Sequence, residues 1–583
     1  MTRYLSLLVI PLAWLASIYA SSPIFGQLRS DTLHEWLSYH TLISMRAFEQ
    51  WGFWKLMGVS ILNSKTYEWQ DFDITNLTRD DGLYTAYPSL GLDIPYAVFK
   101  LFNLDVSIAN LQIYSLIFNR LLLSLILFLI YKELTQFILS HIKLYSSDGQ
   151  KQSFQISEAA SLIGIVVWLL TPAVLYFTQN IYFVDQAVLL PVYSIFLIAL
   201  KLRYKLHEAN TRQRLLLFLL AFISTGYDWY SWTFLLFLLL IYFYENSSLN
   251  FKQRLSASSP ILRGWALAIL IYCSQLVYFK NGVFQLLQRA LHRLFTNNMS
   301  DHTFSQINGF WEVLASYLNE YVPTSGWVLF VVLILVVYIS VLRLAKSSGN
   351  FDIESKAVLR ISFDLGFLVP LLHNLLLGHH TYTHNFSFLK LSPFFVFVFT
   401  IIPTMALLID LRQKYKYYFL YALIVSLLFF GIFTAPKKII DYTQYYISTT
   451  FAESLGKIVK EEVGYKQVPF SLTLPINYFP PHPLWYSGRR VYSIARFYHY
   501  VHLLKLDQKE VEYYYIDRKG VKPARRIAAG ICDRNVPVRE RVWRVKMYGL
   551  GGDFFDQKLI ICKIDTAAPL LQQYGHGFIF TDP

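Results

Sequence analysis

Charged residues are scarce in this chain. Only 15% of its 583 residues are Asp, Glu, Lys or Arg, whereas 55% are hydrophobic and 17% are aromatic. One soluble core cannot bury so much apolar surface, so this composition excludes an ordinary water-soluble enzyme. The sequence therefore predicts a polytopic membrane protein, in which lipid solvates the apolar surface that a core does not cover.

Cysteine is also scarce, with three residues in the whole chain. Cys273 lies in an apolar segment, whereas Cys532 and Cys562 lie near the C-terminal end. This spacing excludes a metal site built from cysteines, but Cys532 and Cys562 can pair if the tail faces an oxidising compartment. Neither an internal repeat nor a low-complexity linker is visible in the sequence.

About eleven apolar segments are long enough to cross a bilayer as helices. They lie at residues 4–20, 110–131, 157–176, 185–202, 213–227, 229–245, 261–279, 326–343, 358–377, 386–408 and 416–434. Lys and Arg are concentrated in alternate loops, which predicts a cytoplasmic N-terminus, an outer first loop (21–109) and an outer C-terminal tail. Because residues 4–20 end in small residues, a cleaved signal peptide is the alternative to a retained first span.

The predicted fold class is an α-helical polytopic membrane protein, N-in and C-out, with outer juxtamembrane helices. Residues 1–434 form the transmembrane module, and residues 435–583 form a small outer domain of mixed α/β structure with strand-like runs. In the first outer loop, the Trp-rich residues 33–62 predict a helix that lies in the membrane interface. Residues 87–102 are too short and too rich in helix breakers to span, which predicts a juxtamembrane helix.

The chain carries a formal net charge of +14, which indicates anionic partners. Much of the excess lies in the tail, where Arg489 and Arg490 are adjacent. Nucleic acid is not expected to meet an outer tail, so lipid head groups or phosphorylated carriers are the expected anions.

Carboxylates at the outer ends of the predicted spans are the first candidates for chemistry. Asp31 follows the first span, Asp185 opens the fourth and Asp228 lies in a tight outer hairpin. A carboxylate there can accept the proton of a hydroxyl that attacks an activated sugar carbon, which is general-base catalysis. Structural alternatives stay open. Thr32 and Glu35 match a capping box, next to which Asp31 can favour the helix N-terminus. Asp185 can cap a helix, and a tight hairpin favours Asp at position 228.

The predicted outer loop at residues 378–385 is rich in polar side chains. It contains His379, His380 and His384, and Lys390 follows a turn or two into the next apolar segment. A Lys near the membrane core has an anion or carboxylate nearby, or extends to the interface. A departing phosphate suits this group of cations. Zinc is the alternative, although the loop has neither an acidic neighbour nor an H-E-x-x-H pattern.

The order of these features resembles that of type C glycosyltransferases. Asp31 follows the first span, a long outer loop contains a Tyr-Pro stretch (87–90), Arg120 lies within the second span and Asp185 opens the fourth. Enzymes of this type use polyprenyl-phosphate sugars, and they include protein O-mannosyltransferases and bacterial aminoarabinose transferases. The chain departs from the pattern after Asp31, where Thr32 stands at a position that is acidic in many members.

The resemblance implies sugar transfer from a polyprenyl phosphate carrier to a hydroxyl of a lipid, polysaccharide or protein, at the outer face of the plasma membrane. It implies that Asp31 is the catalytic base and that Asp185 orients the acceptor or holds a divalent cation. The expected substrate-binding and phosphate-binding residues are Glu35, Tyr87, Arg120, Asp228, His379, His380, His384, Lys390 and Arg489. A lipid or polysaccharide transporter is the alternative, because charges within a helical bundle also line translocation paths.

Thiol labelling tests the predicted topology. Positive-inside counting places Gly378 outside and Lys205 inside. In intact cells, the Gly378→Cys variant should react with a membrane-impermeant maleimide, and the Lys205→Cys variant should react only after the membrane is opened. The parent chain provides the background signal. Labelling of Lys205→Cys but not Gly378→Cys in intact cells would contradict the predicted orientation.

Overall fold

The structure is a computed structural model of an α-helical bundle followed by a small sheet domain. It describes residues 5–26, 35–62, 75, 82–140, 149–180, 182–284, 286–287, 339, 353–376, 385–410, 423–427, 459–463, 467–471, 492–493, 497–498, 501, 511–518, 528–546 and 554–574.

The bundle consists mainly of long helices, several of which continue through a short π-helical segment. The α-helices are α1 (Leu5–Ser21), α2 (Glu35–Ala47), α3 (Leu90–Leu101), α4 (Ile108–Ser115), α5 (Leu123–Ser140), α6 (Gly149–Leu170), α7 (Pro172–Asn180), α8 (Val184–Ala187), α9 (Leu189–Lys201), α10 (Thr211–Thr225), α11 (Trp229–Glu245), α12 (Phe251–Tyr278), α13 (Ile353–Phe363), α14 (Val369–Leu376), α15 (Ser392–Val396), α16 (Ile402–Asp410) and α17 (Pro569–Tyr574). The π segments are Phe48–Gly52, Leu116–Leu122, Asp364–Leu368 and Phe397–Ile401.

Within the described ranges, five helices are long and apolar enough to cross a membrane. They are Ile108–Ser140, Ser153–Leu170, Val184–Lys201, Phe251–Tyr278 and Lys356–Leu375. All five overlap spans predicted from the sequence. Helix α12 begins earlier than the predicted start at residue 261, because Asn250 and Gln253 form a capping box that extends the helix. The predicted spans 326–343 and 416–434 lie almost wholly outside the described residues.

Arg120 ties three parts of the bundle together. It lies in the π segment Leu116–Leu122 and is fully buried. Its Nε donates to Thr178 Oγ1 at 2.9 Å, its Nη1 to Ser21 Oγ at 3.0 Å and its Nη2 to the Leu175 carbonyl at 2.7 Å. Because each guanidinium nitrogen has a protein acceptor, this geometry favours a structural role. Binding of substrate by Arg120 stays a prediction.

The first loop (residues 21–109) contains α2 and α3, together with a two-stranded antiparallel sheet of β1 (Ser60–Ile61) and β2 (Leu83–Tyr84). Leu37 and Ile43 of α2 and Phe48 of the π segment that follows it are buried, because α3 and β1 pack against α2. Trp54 of the same predicted segment is 87% exposed. Placement of this segment in the membrane interface stays a prediction.

The tail forms a five-stranded sheet in the order β4-β3-β5-β7-β6. Its strands are β3 (Gln467–Ser471), β4 (Tyr492–Ser493), β5 (Glu512–Arg518), β6 (Arg539–Lys546) and β7 (Phe554–Lys563). Strand β5 pairs in parallel with β3 and antiparallel with β7. Cys532 and Cys562 form a disulfide bond, which the sequence had left open. Phe48 of the first loop and Val468 of β3 belong to the same buried cluster, so the tail and the first loop meet on one side of the bundle.

Candidate active site

A buried ammonium group lies between two buried carboxylates. Lys390 Nζ is 2.9 Å from Asp185 Oδ1 and 3.3 Å from Asp228 Oδ2. The three side chains are 1%, 3% and 2% exposed, respectively. Three charges so far from solvent are stable only because they compensate one another. Three of the residues singled out from the sequence thus meet in one place.

Each of these side chains projects from the end of a helix. Asp185 lies in the short helix α8, and Asp228 directly precedes α11. Lys390 ends the 3₁₀ turn Asn385–Lys390, just before α15 begins with Ser392 and Pro393. A tight turn at each helix end brings the three polar groups to one level, while the apolar helices that follow continue into the bundle.

The helix-cap alternative is wrong for Asp185, whereas Asp228 does lie in the turn before α11. Phe183 is the N-cap of α8, so Asp185 does not cap this helix. Asp228 is the N-cap of α11, but its side chain makes no capping hydrogen bond and is buried, unlike an ordinary exposed turn residue. Both carboxylates lie within ion-pair distance of the Lys390 ammonium group.

His373 supports Lys390 from a third side. Its Nε2 is 3.3 Å from Lys390 Nζ, and its Nδ1 is 3.3 Å from Thr233 Oγ1. A charged Lys390 can only donate, so Nε2 accepts and the ring proton lies on Nδ1, where it can reach Thr233. The Tyr230 ring lies 5.3 Å from Lys390 Nζ and 5.3 Å from the His373 ring, which adds a cation–π contact.

Sequence reasoning missed His373, Tyr230 and Thr233. The signal available for His373 was the polar pair His373-Asn374 within the apolar run 358–377, since ionisable residues inside a span are functional candidates. Tyr230 and Thr233 carry no comparable signal, because aromatic and hydroxyl residues are common near helix ends in membrane proteins.

The environment sets the protonation of the cluster. Burial raises the pKa of Asp228 to about 6; Lys390 opposes this rise, and Asp185 adds to it. The two carboxylates beside Lys390 favour its charged form. Asp228 can exchange a proton close to neutral pH.

The Lys390 ammonium group lies between the Asp185 and Asp228 carboxylates. Among the residues with a described placement, no three or more His, Cys, Asp or Glu side chains are grouped as a metal site. A cation held by Asp185 stays a prediction, as does zinc at the His379–His384 loop, which lies outside the described residues.

An apolar cavity of about 340 Å³ lies beside the charged cluster. Tyr193 connects the two, because it lines the cavity and its hydroxyl donates to the Lys390 carbonyl at 2.8 Å. Pro393 and Phe394, which follow Lys390 in the chain, line the same cavity. An apolar space thus lies next to the backbone of the residue that carries the buried ammonium group.

The other predicted site residues are placed as follows. Tyr87 is buried with its ring centroid 5.2 Å from that of Phe183, close to Asp185 in the chain. Glu35 is the first residue of α2, where its side chain is not described. Five predicted residues lie outside the described ranges: Asp31, His379, His380, His384 and Arg489.

No family model and no curated protein matches the chain. One similar solved structure is the apo oligosaccharyltransferase of Archaeoglobus fulgidus, with 11% identity, a TM-score of 0.47 and coverage of 88% of this chain and 70% of that chain. ArnT from Cupriavidus metallidurans bound to undecaprenyl phosphate shares 8% identity, with a TM-score of 0.49 and coverage of 95% and 97%. Apo ArnT gives 9% identity and a TM-score of 0.39. These names agree with the resemblance noted in the sequence.

The charge compensation at Lys390 can be tested by removing its ammonium group. Lys390→Met leaves Asp185 and Asp228 buried without a cation, and we expect a loss of about 3–5 kcal/mol in the free energy of unfolding. Changing both aspartates to Asn in the same chain should restore much of that loss. The measurement is the unfolding transition of the purified protein in detergent.

The exposed ion pair of Lys100 with Glu49, at 2.7 Å, provides a matched control. Lys100→Met should cost no more than about 1 kcal/mol, because solvent screens this pair. If Lys390→Met proves no more destabilising than Lys100→Met, the buried cluster does not have the energetic role assigned to it.

Proposed function

We propose that this protein transfers a sugar from a polyprenyl phosphate carrier to an acceptor hydroxyl at the outer face of the plasma membrane. The observation that carries the proposal is the buried cluster of Lys390, Asp185 and Asp228 beside an apolar cavity. A polyprenyl phosphate sugar has both features that this arrangement can receive, namely an anionic phosphate and an apolar chain. Membrane lipid and a hydroxyl acceptor would be the other partners.

Lys390 is the group proposed to stabilise the departing phosphate. Preorganised cations are most effective where charge develops in a site from which water is excluded. Asp185 accepts a hydrogen bond from Lys390 at 2.9 Å and holds the ammonium group in place. No metal ion is required in this scheme, because Lys390 supplies the positive charge.

Asp228 is the proposed general base, because its pKa of about 6 suits a proton acceptor near neutral pH. Its carboxylate takes the proton of the acceptor hydroxyl while the hydroxyl oxygen attacks the anomeric carbon of the sugar. The bond from that carbon to the phosphate oxygen breaks, and the phosphate leaves with the electron pair. Attack opposite the leaving group inverts the anomeric carbon. Asp31 is the second candidate base.

The base assignment can be tested with synthetic polyprenyl phosphates that carry a hexose or aminoarabinose. Asp228→Asn should lower the release of polyprenyl phosphate by about 100-fold or more, with normal membrane insertion. In the parent, turnover should fall as the pH drops through about 6, because the carboxyl must be deprotonated to accept a proton. This acidic limb should be absent from the residual turnover of Asp228→Asn.

Asp105→Asn is the matched control, because this carboxylate is exposed in the first outer loop. It should turn over like the parent. Parental turnover by Asp228→Asn together with a large loss in Asp31→Asn would transfer the base role to Asp31. Activity that is lost in a chelator and returns with a divalent cation would replace the proposed role of Lys390 with a metal near Asp185.

A further inference from the structure

A short segment of the first outer loop, residues 86–91, contacts both of the segments that carry the aspartates; it is called the positioning turn below. Toward Asp185, the Tyr182 hydroxyl donates to the Gly91 carbonyl at 2.9 Å. A Cβ atom at Gly91 would lie 2.4 Å from Val184 Cγ1, which is closer than real Cβ atoms approach. The absence of a side chain at Gly91 therefore permits this contact next to Asp185.

Toward Asp228, the positioning turn makes a second set of equally close contacts. The Leu90 amide donates to the Gly226 carbonyl at 3.0 Å, and Trp229 Nε1 donates to the Ala86 carbonyl at 2.9 Å. A Cβ atom at Gly226 would lie 2.2 Å from Leu90 Cδ1. These bonds flank Asp228 on both sides in the chain, so they fix the backbone from which its carboxylate projects.

Hydrogen bonds to Asp93 and to Gln275 of α12 hold the positioning turn in place. Ser89 Oγ donates to Asp93 Oδ2 at 2.5 Å, and Gln275 Nε2 of α12 is 2.7 Å from Ser89 Oγ. Gln275 Nε2 also donates to the Met57 carbonyl at 2.7 Å. Ser89, Asp93 and Gln275 are all buried, so the anchor is part of the packed interior and not a loose surface contact.

We propose that residues 86–91 are a positioning element, which sets the distances of Asp185 and Asp228 from Lys390 through these paired contacts. None of these six residues needs to contact the reacting atoms for this role. The inference rests on the proposed function, because it gives the two aspartates catalytic work. A displacement of about 1 Å at reacting groups can lower a rate about 100-fold, so close packing at Gly91 and Gly226 is expected to control turnover.

The test introduces methyl groups at the two glycines and then removes the side chains that they would meet. Gly91→Ala and Gly226→Ala should each lower kcat by about 10- to 100-fold, with the KM for the donor changed less than about threefold. Val184→Ala added to Gly91→Ala, and Leu90→Ala added to Gly226→Ala, should recover most of the lost turnover. If either glycine variant fails to fold, Tyr182→Phe, which removes only the hydroxyl bonded to Gly91, should still lower kcat several-fold.

Gly164→Ala is the matched control, because a Cβ there would lie 2.7 Å from Ile401 Cδ1 in a helix contact outside the aspartate segments. It should affect stability without the kcat loss. Hydrogen exchange provides a readout that needs no turnover, since Gly91→Ala should speed amide exchange at residues 182–188 and Gly226→Ala at residues 226–230. The matching rescue variant should slow exchange again, and Gly164→Ala should leave both segments unchanged.

The inference is overturned if Gly91→Ala and Gly226→Ala match Gly164→Ala in both turnover and exchange. It is also overturned if the parent is active and the glycine variants exchange their amides faster but turn over as fast as the parent. If the parent itself transfers no sugar from any donor tested, the proposed function fails, and the exchange data alone then decide whether residues 86–91 hold the two segments.

Discussion

The burial of Lys390 between Asp185 and Asp228 is the interaction on which the rest of the site depends. Moving an ammonium or a carboxylate out of water costs several kcal/mol after relaxation, so none of these groups would stay buried alone. Their mutual compensation allows three helix ends to meet away from solvent. The same arrangement makes the stability of the fold sensitive to substitution of any one of the three residues, because removal of one charge leaves the others uncompensated.

This compensation also shapes the proposed chemistry. Lys390 is already shared by two carboxylates, so an incoming phosphate has to compete with them for the ammonium group. Uptake of a proton by Asp228, whose pKa is raised to about 6, would reduce that competition as the phosphate charge develops. Proton transfer from the acceptor and stabilisation of the leaving group would then be coupled through Lys390, while His373 keeps the ammonium oriented.

The sequence identified individual residues of the site better than their partners. Charged side chains at the ends of apolar segments marked Asp185, Asp228 and Lys390 as candidates, because such residues are rare there. Their pairing could not be read from the sequence, since Asp185 and Lys390 are 205 residues apart. Helix periodicity predicted the apolar face of α2 but not the elements that pack against it. An apolar side chain such as Leu37 can be buried equally well by lipid or by protein, so the pattern alone does not distinguish the two. His373 was missed because one His in an apolar run has no local motif.

The most direct test of the account is an experimental structure of the protein with a nonreactive polyprenyl phosphate sugar analogue. We expect the phosphate to contact Lys390 Nζ, the apolar chain to enter the cavity lined by Tyr193, and the anomeric carbon to face Asp228. A phosphate bound elsewhere, with Lys390 still closed between both carboxylates, would contradict it.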